Sequence, residues 1–219
     1  MNPAHVAADL AQVLWTEEQI VGRLAQLAAQ IEEDYRDGDG EDLDLVLVGV
    51  LGGAAMVTVD LARAFDRHIE LSWMGLSSYR AGPGTIGASG AVRLRKDLDV
   101  DIRGRHVLVV DGVINTGLTA SWLLSNLRSR GPASLRFCAL FRKTTPTQLP
   151  PEVHYIGFEA PEGILVGYGL DYAGRYRNLR GAALLAPHIY AGRRAPMDGR
   201  PAEESYSDRS EIAPVARSA

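Results

Sequence analysis

Apolar residues recur at Ile20, Leu24, Leu27 and Ile31, a spacing that lines one face of a helix running to about Tyr35. Thr16-Glu17-Glu18-Gln19 supplies a capping box at its start. A mostly apolar stretch over 43–50 predicts a first core strand, 54–65 a helix and 69–76 a strand. The pattern repeats: a strand over 106–111, a helix over 118–130 and a strand over 134–141. Such β-α-β alternation implies a parallel sheet with helices on both faces, an architecture that binds ligands beyond the carboxyl ends of its strands. Shorter extended pieces follow at 153–158, 164–166 and 182–185.

Three segments interrupt this pattern. Residues 37–42 are polar and glycine-rich, a solvated turn whose acids lack the spacing of a calcium loop. Residues 78–90 carry Gly82, Gly84, Gly87 and Gly90 with few large apolar side chains, which predicts a flexible lid over the cleft. From Ala191 the chain turns Pro-, Ser- and charge-rich, predicting a domain over 1–190 and a disordered tail over 191–219.

Chemistry concentrates in His106-Val107-Leu108-Val109-Val110-Asp111-Gly112-Val113-Ile114-Asn115-Thr116-Gly117-Leu118-Thr119. A buried strand is delivered into a Thr-Gly-x-Thr turn that opens a helix, so backbone N–H groups and two hydroxyls converge where an anion is favoured. An ordinary strand-to-helix turn, with glycine for its dihedral angles, is the competing account of this run alone.

The run resembles the phosphoribosyl-pyrophosphate (PRPP) loop of type I phosphoribosyltransferases, and further segments resemble the hypoxanthine/guanine branch. Leu47-Val48-Gly49-Val50-Leu51-Gly52-Gly53-Ala54 resembles its pyrophosphate loop, Ser77-Ser78-Tyr79 its lid, and Val92-Arg93-Leu94-Arg95-Lys96-Asp97-Leu98-Asp99 the lid's return strand. Arg128-Ser129-Arg130-Gly131-Pro132-Ala133-Ser134 and Val166-Gly167-Tyr168-Gly169-Leu170-Asp171-Tyr172 complete a collinear series. The resemblance implies an α/β type I phosphoribosyltransferase fold: a central, mostly parallel sheet flanked by helices, a small hood subdomain and the lid. The pieces at 153–158, 164–166 and 182–185 are assigned to the hood.

Site residues follow from the same resemblance. Asn115, Thr116, Gly117, Leu118 and Thr119 would hold a 5′-phosphate, and Leu51, Gly52, Gly53 and Arg177 the pyrophosphate. Ile114, Lys143, Ile164 and Leu165 would line the base pocket, with Lys143 on the purine's exocyclic oxygen, and Ser78 and Tyr79 would belong to the lid. Asp171 would bind Mg2+ arriving with PRPP or pyrophosphate. Asp111, Asn115, Lys143 and Asp171 are the candidate catalytic set.

Four positions depart from the family pattern. Asp111-Gly112 stands where the family has two acids gripping the ribose hydroxyls, and Asn115 where it has an aspartate acting as general base. An amide still hydrogen-bonds, but it takes up no proton at cellular pH. Gly52 replaces a lysine facing the leaving group, and Ile164 an aromatic ring that stacks on the purine. Three of these changes remove volume and polarity, so the cleft is expected to be wider and less polar than a purine-nucleotide site. The resulting expectation is an enzyme repurposed for a different, bulkier and less polar small molecule. A purine phosphoribosyltransferase of low activity and a non-catalytic nucleotide-binding regulator are the alternatives.

Composition narrows the remaining classes. A net charge of −4 argues against attraction to nucleic acid or an anionic membrane surface, leaving small molecules as expected partners. The first ten residues lack the basic start and apolar core of a signal peptide, and no run approaches the ~18 apolar residues of a membrane span. A cytoplasmic protein is expected, forming a homodimer or homotetramer as the family commonly does. The five histidines are too dispersed for a preformed metal site, and no serine sits in a G-x-S-x-G elbow. Cys138, alone in an apolar strand, reads as a buried structural thiol.

Overall fold

A computed structural model describes residues 1–36, 43–79, 91–143, 150 and 152–191. The acidic turn at 37–42, the glycines of the expected lid at 80–90 and the tail from residue 192 lie outside the described residues. In chain order, a 3-10 helix (Pro3–Asp9) leads into β1 (Leu10–Trp15), α1 (Glu17–Asp34), β2 (Leu45–Leu51), α2 (Ala55–Ala64), β3 (Glu70–Tyr79) and β4 (Ala91–Lys96). Then come β5 (His106–Ile114), α3 (Leu118–Arg128), β6 (Ser134–Lys143), β7 (Val153–Ala160), β8 (Leu165–Gly167), β9 (Ala182–Leu185) and α4 (Pro187–Tyr190).

The capping box forms as read. Thr16 N–H donates to Gln19 Oε1 at 2.9 Å, and Gln19 N–H donates to Thr16 Oγ1 at 3.3 Å. Ile20, Leu24, Leu27 and Ile31 are buried beneath the helix they start. Removing the cap in Thr16→Ala should cost about 1 kcal/mol, read as a lower urea midpoint at unchanged slope.

Six strands form the main sheet in the order β4-β3-β2-β5-β6-β7. All neighbours are parallel except β4, which pairs antiparallel with β3 at one edge. β2 is buried along its whole length except Leu51, and Val107 to Val110 of β5 are fully enclosed, as central strands covered on both faces must be. The chain leaves β2 for β3 in one direction and β5 for β6 in the other, so right-handed crossovers put α2 and α3 on opposite faces. β2 and β5 therefore flank the point where strand order reverses, and the crevice beyond their carboxyl ends is where such sheets bind ligands.

β1, β9 and β8 form a separate antiparallel sheet, the hood. Its membership corrects the sequence expectation in two places. Residues 153–160 join the main sheet as β7, parallel to β6, and the hood takes its third strand from residues 10–15. Trp15 fastens hood to core, its ring 4.9 Å from both Phe141 and Phe158. Cys138 is fully buried in β6, and loss of solvation pushes its thiol up to about 12. At the amino end of β6, Arg136 donates to Asp34 at 2.9 Å and to Tyr155 Oη at 2.6 Å, so this charged cluster ties helix to sheet. No described helix is long and apolar enough to cross a membrane.

Candidate functional site

β5 extends three residues further than its apolar run suggests, ending at Ile114, and the turn after it opens directly into α3. Here lies a cleft of about 90 Å³, lined by Asp111, Val113, Ile114, Asn115 and Thr116, then by Gly117, Thr119 and Ala120 as the helix begins. Gly117 caps the helix with φ +80°, a left-handed conformation that admits glycine readily. Ser121 N–H closes the first turn on the Gly117 carbonyl at 2.9 Å. The amides of residues 118–120 therefore have no intrahelical acceptor, and with the helix dipole they favour an anion at this end. Asn115, Thr116 and Thr119 are exposed around the turn, whereas Leu118 stands 58 % exposed as an apolar rim.

Asp111 is the sole ionisable residue among the eight described residues that line the cleft. Its Oδ1 accepts Gly112 N–H at 2.7 Å. The side chain opens on the cleft yet is densely surrounded, and loss of solvation pushes its carboxyl up to about 6 against the opposing backbone hydrogen bonds from Gly112 and Val113. Because the folded value lies above the unfolded one, its stabilising contribution is fully present below about pH 4 and is lost as pH rises through about 6.

The pyrophosphate-type loop sits beside this cleft. The Leu51–Gly52 peptide is cis, and the Gly53 carbonyl packs tightly between two glycines. A Cβ on Gly112 would lie 2.9 Å from Gly53 O and 2.9 Å from Leu170 Cδ2, and one on Gly169 would lie 2.4 Å from Gly53 O. The expectation of a wider cleft therefore fails at Gly112, where loop backbone and a leucine methyl fill the space left by the missing side chain. Gly52 is exposed, with the Arg177 guanidinium 3.9 Å from the point where a side chain would begin.

Arg177 and Asp171 are already joined. Arg177 Nη2 lies 2.7 Å from Asp171 Oδ1 and Nη1 donates to Gly169 O at 2.7 Å, while Asp171 Oδ2 accepts Gly174 N–H at 2.8 Å. Tyr168, Ala173 and Tyr176 all have left-handed φ values, so the segment presenting these two side chains is folded through sparsely populated conformations. No group of three or more His, Cys, Asp or Glu among the described residues is placed to hold a metal. Asp171 alone suits a Mg2+ that carries most of its ligands with it, as this ion does when it arrives with substrate phosphates.

The structure brings Asp111, Ile114, Asn115, Thr116, Gly117 and Thr119 to one cleft, and the remaining candidates are not among its described lining residues. Lys143, at the end of β6, donates to Gly163 O at 2.6 Å, tying the sheet to the turn before β8. Leu165 is buried in the main core. Ile164 packs with the hood cluster of Val166, Tyr172, Tyr176, Leu179 and Leu185. Ser78 and Tyr79 lie on the backbone of β3. Gly169 and Leu170, which pin the loop, were not singled out from sequence, although two glycines flanking Tyr168 just before an acid are a visible signal of a close backbone approach.

Comparisons with known proteins converge on one family. The Phosphoribosyl transferase domain family matches residues 15–173. The hypoxanthine-guanine phosphoribosyltransferase of Mycobacterium tuberculosis is 47 % identical over 183 residues, spanning 83 % of this chain and 89 % of that protein. A hypoxanthine phosphoribosyltransferase from Staphylococcus aureus superimposes with a TM-score of 0.76 at 35 % identity, covering 85 % of this chain and 97 % of that one. The asparagine mutant of an invariant aspartic acid in HPRTs gives 0.76 at 36 % identity, covering 84 % and 97 %.

Proposed function

The chain belongs to the phosphoribosyl transferase domain family as a purine phosphoribosyltransferase homologue, and we propose that its cleft binds a phosphorylated ribose ligand but transfers the ribose phosphate to a purine only slowly. One observation carries this reading. The 115–119 turn puts the hydroxyl residues Thr116 and Thr119 and the first turn of α3 at the cleft, while its first residue is Asn115, which takes up and releases no proton at neutral pH. Binding and chemistry are thereby separated. The turn supplies hydrogen bonds to phosphate and Asp111 a single acceptor toward ribose.

Around that cleft, Lys143 would meet an exocyclic oxygen of the base, giving up the Gly163 carbonyl it now holds. Gly52 and Gly53 would offer backbone amides to a leaving pyrophosphate, with Arg177 the cation beside them. Asp171 would hold Mg2+ with the diphosphate once Arg177 turns toward the phosphates. When bound, the ion would neutralise charge on the diphosphate oxygens.

An enzyme acting on a different, less polar small molecule is the second reading. Ile164 favours it, because an aliphatic side chain packed into the hood presents no aromatic face to a purine. The filled space at Gly112 argues against a bulkier ligand at that end.

Thermal unfolding with GMP, IMP, or PRPP and Mg2+ tests the proposal. A ligand present at about 100-fold its Kd raises stability by about 2.7 kcal/mol. Upward shifts with nucleotide or PRPP and little nucleotide formed from PRPP and guanine are expected. Rapid synthesis overturns the slow-transfer claim, and no shift with any of them overturns the phosphate claim.

A further inference from the structure

We propose that Asp9 and Asp60 are positioning residues for the leaving group. Each accepts a hydrogen bond from a left-handed tyrosine, and together they hold the hairpin over 168–177 in the shape that presents Asp171 and Arg177. The inference rests on the phosphate reading above and adds to it how the pyrophosphate side of the site is kept in place.

The hairpin is a short ladder whose backbone is under strain. Tyr168 N–H donates to Leu179 O at 3.0 Å, Gly169 N–H to Arg177 O at 2.9 Å and Tyr172 N–H to Arg175 O at 3.2 Å. Tyr168 (φ +47°), Ala173 (φ +51°) and Tyr176 (φ +73°) all take left-handed conformations. A bulky residue persists there only where its surroundings over-determine it. The two limbs are seated in different clusters, Tyr168 in the main core and Tyr176 in the hood.

Both left-handed tyrosines are bolted through their hydroxyls. Tyr168 Oη donates to Asp60 of α2 at 2.5 Å, and Tyr176 Oη donates to Asp9, the last residue of the 3-10 helix, at 2.9 Å. Asp9 is itself fixed, because its carbonyl accepts Ala186 N–H at 2.8 Å. Burial first and the aspartate second push each phenol up, so both stay donors through neutral pH. Tyr172 supplies the contrast. It is as buried as Tyr176 but has no left-handed φ, and its hydroxyl has no partner among the described residues. Burying a tyrosine in this hairpin does not by itself bring a partner, and the two that have one are the two whose backbone needs holding.

These bonds bear on the site through the chain itself. Tyr176 directly precedes Arg177, whose Nη1 donates to Gly169 O, and Gly169 packs on the Gly53 carbonyl. Asp171 is held between Arg177 and Gly174 N–H. Loosening either bolt lowers the share of molecules in which these groups stand ready for pyrophosphate, and apparent affinity falls with that share. Neither tyrosine lines the cleft at the 115–119 turn, so binding there should not change.

Calorimetric titration of the full chain with GMP, and then with pyrophosphate and Mg2+ on the GMP-filled protein, tests this. Tyr168→Phe and Tyr176→Phe should each bind pyrophosphate about three- to tenfold more weakly, the usual worth of one hydrogen bond, and bind GMP as the parent does. Tyr172→Phe should change neither. Asp9→Asn, which keeps an acceptor, should bind pyrophosphate more tightly than Asp9→Ala. In the ligand-free variants, amide exchange across 168–177 should quicken for Tyr168→Phe and Tyr176→Phe and stay at the parental rate for Tyr172→Phe. Parental pyrophosphate affinity in either Tyr168→Phe or Tyr176→Phe would overturn the inference while leaving the phosphate site standing, as would a parent that binds GMP but no pyrophosphate. Equal weakening of GMP and pyrophosphate would also overturn it, because the bonds would then serve the fold as a whole. A parent that binds neither ligand would remove the site and the inference together.

Discussion

Asn115→Asp should raise the rate of nucleotide formation from PRPP and guanine by about 10²–10⁴-fold, the usual worth of a positioned general acid or base. The position is favourable for the change. Asn115 is exposed at the mouth of the cleft, so a carboxylate there carries little of the desolvation cost that Asp111 bears, and its near-identical shape leaves the turn undisturbed. A gain of this size also requires that the phosphate turn already holds PRPP correctly, so activity and binding must be measured on the same samples. The rate should acquire a new pH dependence as the introduced carboxylate ionises. If the variant binds PRPP as the parent does and its turnover stays flat, the missing proton acceptor is not what slows transfer, and the departure at Gly52 becomes the principal suspect.

Gly169→Ala should lose about 2–4 kcal/mol of stability, a fall in Tm of roughly 5–15 °C for a domain of this size. Two costs combine there: φ is +98°, where an L side chain is strained, and the new methyl would sit 2.4 Å from the Gly53 carbonyl. Gly174→Ala separates them, since Gly174 also has a left-handed φ of +76° but nothing lies within 4 Å of the added carbon. Denaturant unfolding of both variants should show Gly169→Ala clearly the more damaged. Equal losses would mean the loop simply moves aside, and that its contact with Gly112 and Gly169 does not hold it in place.

Local chemistry explains which parts of this architecture were readable from residues alone. The capping box, the buried helix face and the strand-turn-helix at the cleft each depend on neighbours in sequence, and each forms where its residues predicted apart from a few residues at the strand and helix ends. Strand β1 escaped because none of its six residues is fully buried and it pairs irregularly with β9, and Gln12 breaks its apolar run without setting up an alternation. β7 was visible as a strand, but which sheet an edge strand joins is decided by long-range pairing that no local pattern encodes. The candidate site divides in the same way. Residues 111–119 declared themselves through composition at a helix start, whereas the filling of space beside Gly112 depends on Gly53 and Leu170, distant in sequence. Removing a side chain therefore created a close contact where a reading of volume alone expected room.

The enclosed thiol of β6 gives this protein a chemical clock. Cys138 is the only cysteine in the chain, and both its burial and its suppressed ionisation keep alkylating reagents from reacting with the native state. Each labelling event therefore counts a molecule whose central sheet has opened. The labelled fraction over time reports opening of the sheet centre separately from motions confined to the hood.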